Sequence, residues 1–254
     1  MVALPSVARA DGTRPDFAFG DATGEVGVAS FAAAANLTYF LPQHIGAWSP
    51  STANAIDPVA NAWSNMVGGL GGAALALGTG YVFESSYLAV EDAAHPGVQA
   101  FYEVGVELES VALSTAITSF VKRLVGRCRP RAFGQVGCAE HDAFPSGHTA
   151  AIAPFAGARL IRLAQTPASD GFGLRAASFG FAEAGTMLTA ILRVAAGAHS
   201  WEDVLTGAAV GHLTGMLVAY AHPSVRIDRD APRVGVSSSA VKERRFYFST
   251  GFSF

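Results

Sequence analysis

DAFPSGHTAA, residues 142–151, sets a proline, a hydroxyl, a glycine and a histidine directly ahead of an apolar, alanine-rich run. These residues are poor helix formers, yet they suit a helix start: serine caps the first turn and glycine lets backbone come close to a ligand. The stretch therefore predicts a helix over 149–164, with His148 on its first turn. A helix N-terminus exposes unpaired N–H groups and partial positive charge, so it is also a ready anion site, with Ser146 as cap or donor.

Outward from it, the chain keeps a helical pattern. Segments without Asp, Glu, Lys or Arg run over 26–56, 58–83, 143–158 and 204–225. The first is interrupted by Pro42 and Pro50 and predicts one helix followed by a loop. The second holds WSNMVGGLGGAALALGTGYVF, residues 63–83, long enough to cross a bilayer although its glycines would weaken a helix in water. Further helices are predicted over 98–125, 174–194 and 201–221. The fold class is all-α, a bundle of about six helices with a short C-terminal β-like tail. That tail ends RFYFSTGFSF, with Phe246, Phe248, Phe252 and Phe254 on one parity. It reads as a strand packed on the helices, or as one engaging the outer membrane or a partner's sheet edge.

The organisation expected is an N-terminal segment over 1–25, a helical catalytic domain over 26–222 and a charged tail over 223–254. Ala8-Arg9-Ala10 has the small-x-small pattern of a signal-peptide end, but the apolar stretch before it is short; it is either a signal remnant or a chance match. Half of the 254 residues are hydrophobic and 15% are charged, against about 25% in soluble proteins. A mean hydropathy of +0.32 lies between a soluble globule and a polytopic membrane protein. A net charge of −3 and a pI near 6.1 lack the basic footprint of a nucleic-acid binder.

Two further stretches accompany the opening one. KRLVGRCRP places Lys122 seven residues before Arg129, two helical turns apart and hence on one face, with Pro130 ending the element. RVAAGAHSWED gives Arg193, His199 six residues on and Asp203 four after that; if helical, the carboxylate could bind one imidazole nitrogen and aim the other. Each alone is an ordinary surface pattern. Together, three cations, two histidines and a carboxylate in a charge-poor chain converge on phosphate. Positioned cations and N–H donors stabilise a phosphoryl group in transit, one imidazole can attack phosphorus, and a second can protonate the departing oxygen.

These stretches resemble the three signatures of the type 2 phosphatidic acid phosphatase (PAP2) superfamily, KxxxxxxRP, PSGH and SRxxxxxHxxxD, in that order over residues 122–203. The superfamily relates membrane lipid phosphatases, bacterial class A acid phosphatases and vanadium haloperoxidases. Leu192 stands where the third signature usually has serine, at the expense of an orienting hydroxyl. The resemblance implies that Lys122, Arg129 and Arg193 hold phosphate oxygens with Ser146 and the Gly147 N–H. It makes His199 the nucleophile, Asp203 its orienting partner, and His148 the general acid and then base. It implies no cofactor and no metal.

Cys128 and Cys138 are the only cysteines and bracket RPRAFGQVG. They are either two unrelated buried thiols or a disulfide of an exported protein, which would tether Arg129 near the Ser146 helix start. Glu103, Glu107, Glu109, Glu183 and His212 are read as salt-bridged or interfacial, and His141 as a loop residue beside the site.

Three functions remain open at this level. The first is a phosphatase of lipid phosphates or diphosphates in a bacterial envelope, its site facing the periplasm. Arg159, Arg162, Arg175 and the C-terminal basic cluster then lie on the opposite side, as the positive-inside rule asks, although the connection 84–99 has no Lys or Arg. The second is a soluble periplasmic acid phosphatase acting on small phosphomonoesters. The third is a vanadate-binding, haloperoxidase-like protein, which resembles much longer chains. The partners expected are a phosphorylated lipid and the membrane, and not nucleic acid.

Overall fold

The computed structural model describes Leu37 and residues 57–133, 138, 140–169 and 171–222. The region read as a signal remnant, the helix expected within 26–56 and the Phe-alternating tail lie outside these residues. From residue 57 onward there are six α-helices and, among the described residues, no strand, as an all-α bundle requires: α1 Pro58–Val67, α2 Leu70–Val90, α3 Pro96–Val125, α4 Gly147–Ala164, α5 Phe172–Ala195 and α6 Trp201–Ala221, with a 3-10 turn at Pro130–Ala132.

Asp57 caps α1 by accepting the Val59 and Ala60 N–H groups at 2.9 and 3.0 Å, with Pro58 preset at the first helical position. The apolar stretch 63–83 is not one helix. It breaks at Gly68-Gly69, where α1 and α2 meet at a 41° bend. A Cβ on Gly68 would lie 2.7 Å from Thr189 Cγ2 and 2.8 Å from His148 Cβ, so the break lies where the chain presses against α4 and α5. A second departure concerns α3, which stops at Val125 because Gly126 enters the left-handed region (φ 59°). Arg129 therefore lies beyond the helix rather than two turns along it from Lys122.

The central helix is α4, enclosed by α3, α5 and α6, with Phe155 fully buried beside Ile152, Ala156, Ala182 and Ala76. Against α6 it packs backbone to backbone. Gly207, Gly211 and Gly215 recur every four residues on α6, and a Cβ at Gly215 would stand only 2.2 Å from the Pro154 carbonyl oxygen. Small residues at this spacing let the two N-terminal ends lie side by side, and the Ser146 N–H donates to the Asp203 carbonyl at 2.9 Å.

The interior is small or polar and the surface is apolar. Leu70, Phe101, Leu205, Leu213 and Leu217 are exposed, whereas Arg159, Arg162 and Arg175 are buried and bonded to Glu107, Glu103 and Glu84. That distribution suits lipid, where large apolar side chains face outward and polar groups must find partners inside. The stretch Pro96–Ala132 and α6 are each long and apolar enough to cross a membrane, and α1 with α2 makes a third if the bent pair is one span. These features mark membrane association. They also correct the charge count, since Arg159, Arg162 and Arg175 are committed to internal pairs and are not the free loop charges that the positive-inside rule weighs.

Candidate active site

The C-terminal ends of α3 and α5 and the N-terminal ends of α4 and α6 gather at one end of the bundle, with the loop after α3 folded across them. Lys122 comes from the last turn of α3 and donates Nζ to the Asp142 carbonyl. A Cβ on Gly147 would be 3.5 Å from Lys122 Cε, so the lysine runs along the start of α4. Arg129 reaches the same place from the loop. Its Nε and Nη2 donate to the two Asp142 carboxylate oxygens at 2.7 and 2.8 Å. Burial alone would raise Asp142, but Arg129, followed by Lys122, holds its carboxyl well below the usual range. Arg193, in the last turn of α5, is 2% exposed; its Nη1 donates to Ser64 Oγ at 3.2 Å and Asn65 Oδ1 at 2.9 Å.

His148 is half-buried on the first turn of α4, as its position after Ser146 predicts. Burial, then Arg193, Arg129 and Lys122, push its pKa down to about 4. Ser146 is fully buried and its Oγ is paired with Thr149 Oγ1 at 3.1 Å. Gly147 opens the helix behind it.

His199 is 1% exposed, and its Nδ1 lies 2.7 Å from the Ala143 carbonyl oxygen. A carbonyl only accepts, so Nδ1 carries the hydrogen and Nε2 the lone pair. Burial, then Lys122, Arg193 and Arg129, keep the ring well below its ordinary pKa and hence neutral. His199 Nε2 and Arg193 Nε are buried without a partner among the described residues. One is an electron-pair donor and the other an N–H donor, the two requirements of a nucleophile and an oxygen clamp at a phosphate.

Asp203 does not bond His199 as the i,i+4 spacing predicts. Its Oδ2 lies 3.8 Å from Nδ1. One oxygen accepts from Arg127 Nη1 at 2.6 Å and the other from the Ser200 N–H at 2.8 Å. The reason is local: α6 begins at Trp201 with Ser200 as its cap, so His199 precedes the helix and does not share a helical face with Asp203. The Ala143 carbonyl takes the place expected of the carboxylate.

Cys128 and Cys138 form a disulfide, with Cα atoms 6.2 Å apart. Leu192, in the serine position of the third signature, packs beside Ala60, Ala196 and Ala198. Glu103 and Glu107 are bound by Arg162 and Arg159, Glu109 lies 3.4 Å from His222, and Glu183 meets His212 at 2.7 Å. His141 Nδ1 lies 3.3 Å from the Gly126 carbonyl, on the loop. Sequence reasoning missed Arg127, Asp142, the Ala143 carbonyl, Ser64 and Asn65. Only Arg127 and Asp142 carried a signal, as extra charges inside or beside the two signatures. Among the described residues no three His, Cys, Asp or Glu side chains gather into a metal site.

A helical bundle with an apolar surface and, among the described residues, an unpartnered neutral imidazole nitrogen beside three cations and a helix start has the chemistry of a phosphate-ester phosphatase. Residues 105–227, which contain every signature position, match the family model of the PAP2 superfamily. The match supports a phosphatase activity on phosphate esters for this region of the chain. No curated protein and no solved structure matches the chain.

Proposed function

We propose that the protein is a metal-independent phosphatase of lipid phosphates or diphosphates that works through a phosphohistidine. The observation that carries this reading is His199: neutral, its Nδ1–H committed to the Ala143 carbonyl, its Nε2 lone pair buried among Lys122, Arg129 and Arg193. The three cations, with Ser146 and the Gly147 N–H at the start of α4, take the phosphate oxygens. Nε2 forms the new bond to phosphorus as the bond to the leaving oxygen breaks, and His148 supplies the proton to that oxygen. His148 then accepts a proton from the water that attacks the phosphohistidine and releases phosphate. Burial, and after it the charges of Arg193, Arg129 and Lys122, depress its pKa; a bound dianion offsets those charges and raises it towards the range useful for an acid.

The lipid class rests on the apolar outer faces of α3 and α6, which lead to the site and would leave acyl or prenyl chains in the bilayer while the headgroup meets the cations. A Cys128–Cys138 disulfide favours an oxidising compartment, hence a bacterial envelope with the site facing the periplasm. The test is purification followed by assay of phosphatidic acid, phosphatidylglycerol phosphate, undecaprenyl diphosphate and lipid A beside short-chain and water-soluble phosphate esters. Extraction should require detergent, the long-chain substrate should be preferred by at least an order of magnitude, and EDTA should have no effect. His199→Ala should remove nearly all turnover and vanadate should inhibit. Equal activity on small esters from protein that is monodisperse without detergent would assign the soluble acid-phosphatase function. Halide oxidation with peroxide and vanadate would assign the haloperoxidase-like one.

A further inference from the structure

We propose that Arg127, at a position the first signature leaves unspecified, is a positioning residue for His199: its guanidinium takes one oxygen of Asp203 while the Ser200 N–H takes the other, so the carboxylate stands 3.8 Å from the imidazole instead of on it. This rests on the phosphohistidine reading. Arg127 is 3% exposed and holds the nucleophile's surroundings from two sides. Its backbone carbonyl accepts the Ala143 N–H at 3.0 Å, and the Ala143 carbonyl in turn accepts from His199 Nδ1. Its side chain holds the buried Asp203 carboxylate beside the ring.

The charge balance explains why this matters. His199 faces Lys122 from α3, Arg129 from the loop and Arg193 from α5, all of which oppose its protonation. On the other side are Asp142, already clamped by Arg129, and Asp203 on α6; α4 contributes His148, itself held neutral. Without Arg127 the buried Asp203 carboxylate would be held by the Ser200 N–H alone, its other oxygen released to bond Nδ1 and to favour the imidazolium. A protonated Nε2 has no lone pair with which to attack phosphorus. Arg127 therefore keeps His199 neutral in acid and keeps Nδ1 on the Ala143 carbonyl, which aims Nε2.

The full-length protein in detergent tests this with Arg127→Met, Arg127→Lys, Asp203→Asn and the double variant Arg127→Met/Asp203→Asn. Two readouts are taken: the acid limb of the kcat/KM pH profile, and the protonation of His199 by nitrogen NMR of histidine-labelled protein, assigned with His199→Asn. Arg127→Met should raise the acid limb and the His199 titration by one pH unit or more and lower kcat 10- to 100-fold. Arg127→Lys should recover most of both, and the neutral double variant should return the titration to its wild-type position. Should Arg127→Met fail to fold, Asp203→Asn decides alone: with Arg127 shielding the carboxylate, its loss moves the titration by less than half a unit and leaves the hydrogen on Nδ1. An unmoved titration in Arg127→Met, a double variant as displaced as the single, or a fall of more than one unit in Asp203→Asn overturns the proposal. Because the NMR titration needs no turnover, it stands apart from the phosphatase reading, which fails if wild-type protein hydrolyses no phosphate ester.

Discussion

Asp142 grips Arg129 through both carboxylate oxygens, at 2.7 and 2.8 Å, in the place where Arg129 is expected to receive phosphate. The pair joins the residue four positions before Ser146 to a cation of the first signature, so one loop carries both a proposed phosphate ligand and a carboxylate that would compete with phosphate for it. Anion binding must then work against a fixed negative charge. Asp142→Asn removes that charge while keeping one acceptor for Arg129. The side chain of Asp142 is 32% exposed, so solvent screens the repulsion, and the gain should be about two- to tenfold in affinity. Inhibition constants for phosphate and vanadate should fall accordingly. Weaker inhibition would mean that the carboxylate matters more for aiming Arg129 than for repelling the ligand.

Acid should destabilise the fold through its histidines. His148 and His199 are held neutral, the former with a pKa near 4 and the latter well below its ordinary value, whereas in the unfolded chain each titrates near its ordinary value of about 6.5. Below that value the unfolded chain binds protons that the native site refuses, so stability falls as pH drops from about 6.5 towards 4. Replacing His148 by Gln should flatten the slope by up to about 1.4 kcal/mol per pH unit in this window, read from urea or thermal unfolding between pH 7.5 and 4.5. Saturating vanadate should raise the His148 pKa by offsetting the cations. A His148→Gln variant as acid-sensitive as wild type would remove burial of this ring as a cause.

The contact between α4 and α6 sets the distance between His148, on the first turn of α4, and His199, just before α6. Gly215→Ala would place a methyl 2.2 Å from the Pro154 carbonyl oxygen, and only a separation of the two helices relieves it. A cost of about 1–3 kcal/mol in stability is expected, with a loss of kcat that exceeds any change in KM. Gly78→Ala is the control, since nothing lies within 4 Å of a Cβ there. It should be nearly neutral in both measurements. Equal effects at the two glycines would mean that helix propensity, and not the approach of the helices, is being read.

The Cys128–Cys138 bond closes a short loop with a sequence separation of 10. In the chain-entropy account such closure contributes about 2–3 kcal/mol. Replacing both cysteines by serine should lower unfolding stability by that amount. It should also reduce kcat/KM, because Arg127 and Arg129 flank Cys128 and depend on the loop path. Mass spectrometry of protein exported to an oxidising compartment should find the two residues linked. Two freely alkylated thiols in that sample would count against both the bond and the compartment.

Much of this protein is determined by short-range pattern. The start of α4 was legible because Pro-Ser-Gly-His suits a helix start before an apolar run, and α3, α5 and α6 appeared within a few residues of their ends from largely apolar, helix-like segments between short punctuated connections. The signature cations and histidines were legible because ionisable groups are scarce in so apolar a chain. What tertiary structure decided is which partner each group meets. An i,i+4 spacing could not reveal that His199 precedes its helix, so the Ala143 carbonyl, 56 residues away in sequence, came to hold its Nδ1 while Arg127, 76 residues from Asp203, took the carboxylate. Nor could a helical repeat show that Gly126 ends α3 before Arg129, or that Gly68 breaks the apolar stretch where it meets His148. Periodicity is a local property set by backbone geometry, whereas the pairing of buried charges depends on which helix ends the glycine contacts bring together.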